Sequence, residues 1–153
     1  MMDGWRVEAM TEESIDPVVA IETASFLNPW SKLCFLEELS FKDSHNFILK
    51  LENSIQAYQI VAYLCCRVLV DELHILKLAV HPEHRRKGIA TGFLSHCLNT
   101  FGTQQIKTVI LDVRSSNSAA IGLYQKLDFQ IIGQRPNYYF DTGESAFLMR
   151  KIY

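Results

Sequence analysis

Between an apolar run and a helical pattern, the chain carries a basic segment whose residue types suit the binding of phosphate. The apolar run at residues 78–80 is followed by Arg85-Arg86-Lys87, then by Gly88, and then by a helical repeat of apolar residues over 89–101. The first amides of a helix lack intrahelical acceptors and attract anions. Because Gly88 and Ala90 are small, a pyrophosphate could approach the backbone closely here. The segment predicts a phosphate site, although it matches neither the Gly-Lys-Ser/Thr pattern nor the three-glycine dinucleotide pattern.

The overall composition excludes several classes of protein. The 153 residues include 15 Lys and Arg against 17 Asp and Glu, and the net charge of −2 argues against coating nucleic acid or an anionic membrane. No apolar run approaches the roughly 20 residues of a membrane helix, and residues 1–6 lack the order of a signal peptide. The sequence therefore predicts one cytoplasmic domain over residues 1–153, with no nucleic-acid or membrane partner.

The four cysteines, Cys34, Cys65, Cys66 and Cys97, show no C-x-x-C spacing. Cys65 and Cys66 are adjacent in a strand-like run, so their side chains point to opposite faces and cannot easily share a metal ion. Cys97 lies on the apolar face of the predicted helix over 89–101, where a thiol is expected to be inert. We expect reduced, mostly buried cysteines, no metal site and no cysteine nucleophile.

Two helices are predicted near the start of the chain. Asp16 is predicted to cap the first of them, with Pro17 at its first position and with Val18, Ile21 and Ala24 turned inward. An aromatic loop then interrupts the pattern. A serine at position 31 is predicted to cap the second helix, which runs to residue 39.

The remaining periodicity completes the element order β-α-α-β-β-β-α-β-α-β-β. A strand over 106–113 leads to a helix over 115–127. Strands over 129–133 and 146–152 flank an irregular stretch of polar and aromatic residues. This order predicts an α/β domain whose mixed, mostly antiparallel sheet has six to seven strands and is flanked by about four helices.

Four segments of the chain resemble the GNAT superfamily of acetyltransferases. The superfamily's acetyl-coenzyme A loop, Gln/Arg-x-x-Gly-x-Gly/Ala, is matched at every defined position by Arg85-Arg86-Lys87-Gly88-Ile89-Ala90. The ribosomal-protein-alanine N-acetyltransferases carry a Leu-Glu-Val-Arg-x-Ser-Asn-x-x-Ala-Ile-x-Leu-Tyr run, which is similar to the segment from Leu111 to Tyr124. Their Arg-x-x-Tyr-Tyr and Phe-Pro-Trp-Ser motifs resemble Arg135-Pro136-Asn137-Tyr138-Tyr139 and Asn28-Pro29-Trp30-Ser31. The resemblance covers nearly the whole chain in the right order.

This resemblance implies splayed strands at the cofactor site and acetyl-coenzyme A as the co-substrate. The strand before the loop would lend backbone groups to the pantetheine, and an N–H near Val80 would polarise the thioester carbonyl. Asn117, at the head of the later helix, would bond the cofactor arm, and it equally suits an N-cap. The residues that the resemblance assigns to the cofactor are Leu78, Ala79, Val80, Arg85, Arg86, Lys87, Gly88, Ile89, Ala90, Thr91, Asn117 and Tyr124.

The resemblance also implies catalytic roles. Tyr124 matches the tyrosine that protonates the leaving thiolate. Asp112 stands where the family has the glutamate that acts as general base, and because it is one methylene shorter it would act through a bridging water. Glu72 and His74 are alternative bases on the strand that leads to the site. Asp128 replaces the family's usual glycine after the helix, a difference expected to affect the helix cap rather than the chemistry.

Acceptor recognition would fall to two aromatic loops, through Phe26, Pro29, Trp30, Tyr138 and Tyr139. The implied reaction is direct attack by a protein N-terminal α-amino group in a ternary complex, with a ribosomal protein as one candidate partner. Two alternatives stay open. One is the same fold acting on a small-molecule amine or a lysine side chain, and the other is a coenzyme A-binding module without catalysis.

Overall fold

The computed structural model describes residues 4–102 and 104–153, in which seven strands form one sheet of order β1-β2-β3-β4-β5-β7-β6. The strands are β1 Trp5–Ala9, β2 Ser44–Glu52, β3 Tyr58–Leu69, β4 Glu72–Val80, β5 Thr108–Arg114, β6 Gln130–Tyr139 and β7 Glu144–Ile152. The helices are α1 Ile15–Ser25, α2 Lys32–Ser40, α3 Ile89–Phe101 and α4 Ser118–Lys126. The predicted fold class and element order are confirmed, whereas residues 1–3 of the predicted domain lie outside the described part of the chain.

At the start of the chain, one predicted helix boundary and one predicted inward-facing residue were wrong. Helix α1 begins at Ile15, ahead of Asp16, because a 3-10 turn over Glu12–Ser14 leads directly into it. Ala24 is exposed, and Glu22 turns inward in its place. Ser31 caps α2 as predicted, because its hydroxyl accepts a hydrogen bond from the amide of Cys34 at 3.3 Å.

Two boundaries near the end of the chain also differ from the prediction. Helix α4 begins at Ser118, because Asn117 is its N-cap and accepts a hydrogen bond from the amide of Ala120 at 3.1 Å. Strand β6 continues to Tyr139 through the stretch predicted to be irregular, because a bulge after Arg135 lets it stay paired with β7.

The sheet carries a hydrophobic core on each face. Helices α3 and α4 contribute to the larger core, with Phe93 fully buried at its centre, and α1 and α2 contribute to the other. Cys66 belongs to the first core and Cys65 to the second, which confirms that the two thiols face opposite sides of β3. No helix in the described part of the chain is long and apolar enough to cross a membrane.

A divergence between β4 and β5 opens the sheet at its centre. The two strands pair in parallel only where Glu72–His74 faces Thr108–Ile110. Beyond that point β4 follows β3 and β5 follows β7, each in antiparallel register. The pairing of β3 with β4 also shifts by one residue at Cys65/Cys66, which leaves Leu76 as a bulge. The divergence produces the splayed strands that the resemblance implied, and it exposes one edge of β4 to the space between them.

Candidate active site

The splayed strands enclose a cleft of about 690 Å³. Its walls come from β4 and β5, from the start of α4, from the loop between α1 and α2, and from the hairpin between β6 and β7. The predicted site residues that it brings together are Phe26, Trp30, Leu78, Asp112, Asn117, Tyr124, Tyr138 and Tyr139. Residues far apart in the sequence thus share one cavity, and its lining is both aromatic and polar.

Tyr124 lies on α4 with only 8% of its surface exposed, and its ring packs edge-on against Phe129 at 5.5 Å. Burial, together with the nearby Tyr139, raises the pKa of the Tyr124 hydroxyl. The hydroxyl therefore keeps its proton throughout the neutral and mildly alkaline range. Such a group can donate a proton to a leaving atom in the cleft but cannot serve as a base there.

Asp112 projects from β5 into the cleft and is held by residues of β6. Its Oδ1 accepts a hydrogen bond from Nε of Arg135 at 2.9 Å, and the hydroxyl of Tyr138 approaches Oδ2 at 3.5 Å. The carboxyl is partly exposed, with 28% of the side chain accessible. A carboxyl group that lines the cleft, is fixed by two neighbours and is partly accessible to water has the properties of a proton acceptor.

Glu72 and His74, the alternative bases, lie where β4 is still paired with β5, and neither lines the cleft. They are bonded to each other, with His74 Nε2 at 2.6 Å from Glu72 Oε1. The hydroxyl of Thr108 approaches the other oxygen of Glu72 at 3.4 Å. This geometry leaves Asp112 as the better-placed carboxylate.

The basic loop between β4 and α3 has the geometry that phosphate binding requires. Gly88 is the N-cap of α3 and has a φ of +75°, and nothing lies within 4 Å of the position that a Cβ would take there. Arg86 also has a positive φ of 62°, and Arg86, Lys87 and Gly88 are exposed. The first-turn amides of α3, from Ile89 to Thr91, are therefore approachable from solvent.

Arg85 is also exposed, but its side chain hydrogen-bonds to residues outside this loop. Its Nε donates to the carbonyl of Val80 at 3.0 Å, and its Nη2 donates to the hydroxyl of Ser25 at 2.8 Å. Ser25 is the last residue of α1 and also lines the cleft. In this arrangement Arg85 connects the basic loop to the start of the aromatic loop. A direct contact between Arg85 and a bound cofactor stays a prediction.

The two aromatic loops are tied to each other across the cleft. Nδ2 of Asn28 donates to Oδ2 of Asp141 at 2.8 Å, and Arg114 binds both oxygens of Asp141, at 2.7 and 3.1 Å. These hydrogen bonds from Arg114 hold the pKa of the Asp141 carboxyl below its usual value. The ring of Tyr139 stacks on the Arg114 guanidinium at 4.0 Å. Pro29, by contrast, is exposed and lies outside the lining of the cleft.

A buried ion pair that the sequence pattern does not predict lies behind the aromatic loop. Glu22 accepts hydrogen bonds at 2.8 Å both from the amide of Trp30 and from Nζ of Lys77, and the hydroxyl of Tyr63 donates to its other oxygen. Lys77 lines the cleft, with its Nζ 4.0 Å from the ring centre of Phe26. The sequence does contain one indication of this pair. Glu22 is a charged residue four positions after the inward-facing Val18, so it lies on the same buried face of the helix.

Comparisons with known proteins find chains of similar sequence and fold. The profile of the acetyltransferase (GNAT) family matches residues 15–129. The ribosomal protein bS18-alanine N-acetyltransferase of Haemophilus ducreyi is 34% identical over 133 residues, which cover 87% of this chain and 88% of that protein. The protein of the same name in Escherichia coli K12 is 32% identical over 131 residues, or 84% of each chain. The crystal structure of the ribosomal-protein-S18-alanine N-acetyltransferase from Escherichia coli has a TM-score of 0.85 at 27% identity, covering 97% of this chain and 93% of that one.

Proposed function

The chain belongs to the acetyltransferase (GNAT) family, and we propose that it transfers the acetyl group of acetyl-coenzyme A to the α-amino group of a protein N-terminus. The observation that carries the proposal is the cleft between the splayed strands, which both Asp112 and Tyr124 line. Relatives at 32% and 34% identity are named as N-acetyltransferases, so an acyltransferase activity follows from the family itself. What we propose beyond the family's activity is the identity of the acceptor and the catalytic roles of Asp112 and Tyr124.

The residues of the basic loop fit the pyrophosphate of coenzyme A. The open space over Gly88 admits a bulky anion, and the exposed Arg86 and Lys87 balance its charge. The edge of β4 at residues 78–80 has no strand partner on the side of β5, so its backbone groups are free to bind an extended pantetheine arm. Bound there, acetyl-coenzyme A supplies the activated thioester. The N-cap Asn117 lies beside the same path.

In the proposed mechanism Asp112 and Tyr124 handle the two protons of the reaction. An α-ammonium group has a pKa of about 7.7–8.0, so the carboxylate of Asp112, acting through water, needs only to accept a proton from a modest acid. The departing thiolate belongs to a thiol of pKa about 8.5, and the protonated Tyr124 hydroxyl lies in the same cleft to neutralise it. The raised pKa of Tyr124 keeps on its hydroxyl the proton that this task requires.

The buried cysteines support direct transfer from the thioester to the amine. Burial raises the pKa of the Cys97 thiol to about 12, and it also raises the pKa of Cys65 and Cys66. None of these three lines the cleft, and the thiolate is the nucleophilic form of cysteine. A covalent acetyl-cysteine step through these residues is therefore disfavoured, and both substrates are expected to be bound together.

The aromatic loops support a peptide acceptor. Phe26 and Trp30 on one side, with Tyr138 and Tyr139 on the other, flank the space in front of Asp112. Two of the relatives are named for acetylating an alanine of ribosomal protein bS18, so a ribosomal protein in the cytoplasm is the first acceptor to test.

The experiment measures coenzyme A release with three sets of acceptors. One set has peptides with a free N-terminus, the second has the same peptides with a blocked N-terminus and an internal lysine, and the third has polyamines. We expect turnover only with the first set, with mass spectrometry locating the acetyl group on the α-nitrogen. Acetylation of the blocked peptides or the polyamines alone would favour the alternative acceptors, and no release with any of them would favour a non-catalytic module.

Asp112→Asn tests the role of the carboxylate. We expect kcat/KM for the acceptor peptide to fall about 10²-fold, because asparagine keeps the size of the side chain but cannot take the proton. The KM for acetyl-coenzyme A should stay unchanged. Asp71→Asn, in the turn between β3 and β4, serves as the control for a lost surface carboxylate. An unchanged rate in Asp112→Asn would remove Asp112 as the general base.

A further inference from the structure

The ion pair between Glu22 and Lys77 presents only its positive end to the cleft. Glu22 lies on α1 with its side chain fully buried, whereas the Lys77 side chain is 13% exposed and lines the cleft. Their charged atoms are 2.8 Å apart. An acceptor that enters the cleft can therefore approach the ammonium of Lys77 but not the carboxylate that balances it.

The residues around Lys77 leave its positive charge as the end of the ion pair that faces the cleft. The rings of Phe26 and Trp30 lie beside its Nζ, with centres at 4.0 and 5.3 Å, and only 13% of the Lys77 side chain is exposed. The two carboxylates among the cleft-lining residues, Asp112 and Asp141, are already bound by arginine side chains. A cation that enters the cleft would approach the ammonium of Lys77 where that side chain is largely buried. Like charges repel more strongly there than in water.

We propose that Lys77 determines which acceptors the enzyme uses, by excluding those that carry a second positive charge next to the reacting amine. This inference rests on the proposed function, because it takes Phe26 and Trp30 to flank the acceptor. N-termini that begin with a neutral residue are accepted. N-termini that begin with lysine or arginine are rejected, as are polyamines.

The test compares peptides that differ only in a first residue of alanine or lysine. In the wild-type protein we expect kcat/KM to be at least tenfold higher for the alanine peptide. In the double variant Glu22→Gln/Lys77→Met, which removes both charges and so leaves no buried carboxylate without its cation, the preference should fall below threefold through better use of the lysine peptide. The KM for acetyl-coenzyme A should not change.

A second ion pair provides the matched control. Glu8 and Lys50 lie 3.0 Å apart on β1 and β2, and neither lines the cleft. The double variant Glu8→Gln/Lys50→Met should keep the wild-type preference for alanine. The inference is overturned if the wild-type protein uses both peptides equally, or if Glu22→Gln/Lys77→Met keeps the tenfold preference.

A pair of small amines separates this inference from the proposed function. Hexylamine and 1,6-diaminohexane have the same chain length but differ in one positive charge. If the protein acetylates no peptide, yet prefers the monoamine at least tenfold and loses that preference in Glu22→Gln/Lys77→Met, the proposed function fails and the role of Lys77 holds. Equal use of both amines by the wild-type protein contradicts the role of Lys77, and no use of any acceptor contradicts both.

Discussion

Tyr124→Phe is expected to lower the rate of acetyl transfer by about 10²–10³-fold, the size of effect that a positioned proton donor contributes. The phenylalanine ring preserves the packing against Phe129, and only the hydroxyl is lost. We expect acetyl-coenzyme A to bind the variant normally, so that the loss falls on the single-turnover rate. Rapid mixing of the acetyl-coenzyme A complex with an acceptor peptide measures that rate directly.

The pH dependence of the rate is expected to follow the acceptor amine and not Tyr124. Because the pKa of Tyr124 is raised, its proton is retained at alkaline pH, and the wild-type rate should rise through the pKa of the α-amine, about 8, and stay level to about pH 10. Tyr124→Phe should show the same rise at a lower level. Tyr58→Phe, at a half-exposed position on β3, is the control. A Tyr124→Phe variant with the wild-type rate would remove the tyrosine from the mechanism.

The sequence predicts those parts of the site that depend on local geometry. Gly88 was predicted to open α3, and it takes a left-handed φ at the N-cap. Asp128, predicted to alter the cap of α4, also has a positive φ, of 69°, just after the helix. Tyr124 and Asn117 are seven positions apart, about two helical turns, so their placement along α4 follows from the period of the helix alone.

The parts that the sequence does not predict depend on contacts between distant residues. The Glu22–Lys77 pair joins positions 55 apart, and the Asn28–Asp141 bond joins positions 113 apart. Periodicity indicates which face of an element is apolar, but it does not indicate which charged residue finds a partner when two elements pack. Lys77, next to the bulge at Leu76, is an example, because the bulge changes which face of β4 each later residue occupies.

Gly88→Trp is expected to abolish measurable binding of acetyl-coenzyme A, with a loss of at least about 100-fold in affinity. Acetyl-coenzyme A is proposed to lie over the N-terminus of α3, where the indole would occupy the space that the pyrophosphate needs. Any side chain at this φ of +75° also strains the backbone, at about 1–2 kcal/mol. Isothermal titration calorimetry with acetyl-coenzyme A measures the affinity, and thermal unfolding measures the strain.

Two variants separate steric exclusion from strain. Gly88→Ala carries the same backbone strain without the bulk, so it should lose far less affinity than Gly88→Trp. Gly143→Trp adds the same bulk at a φ of +72°, also with nothing within 4 Å, but in the hairpin between β6 and β7. The Gly143→Trp variant should be destabilised about as much as Gly88→Trp and should still bind acetyl-coenzyme A. If Gly88→Trp binds as tightly as Gly143→Trp, the pyrophosphate does not lie on the N-terminus of α3, because an indole there could not be accommodated beside it.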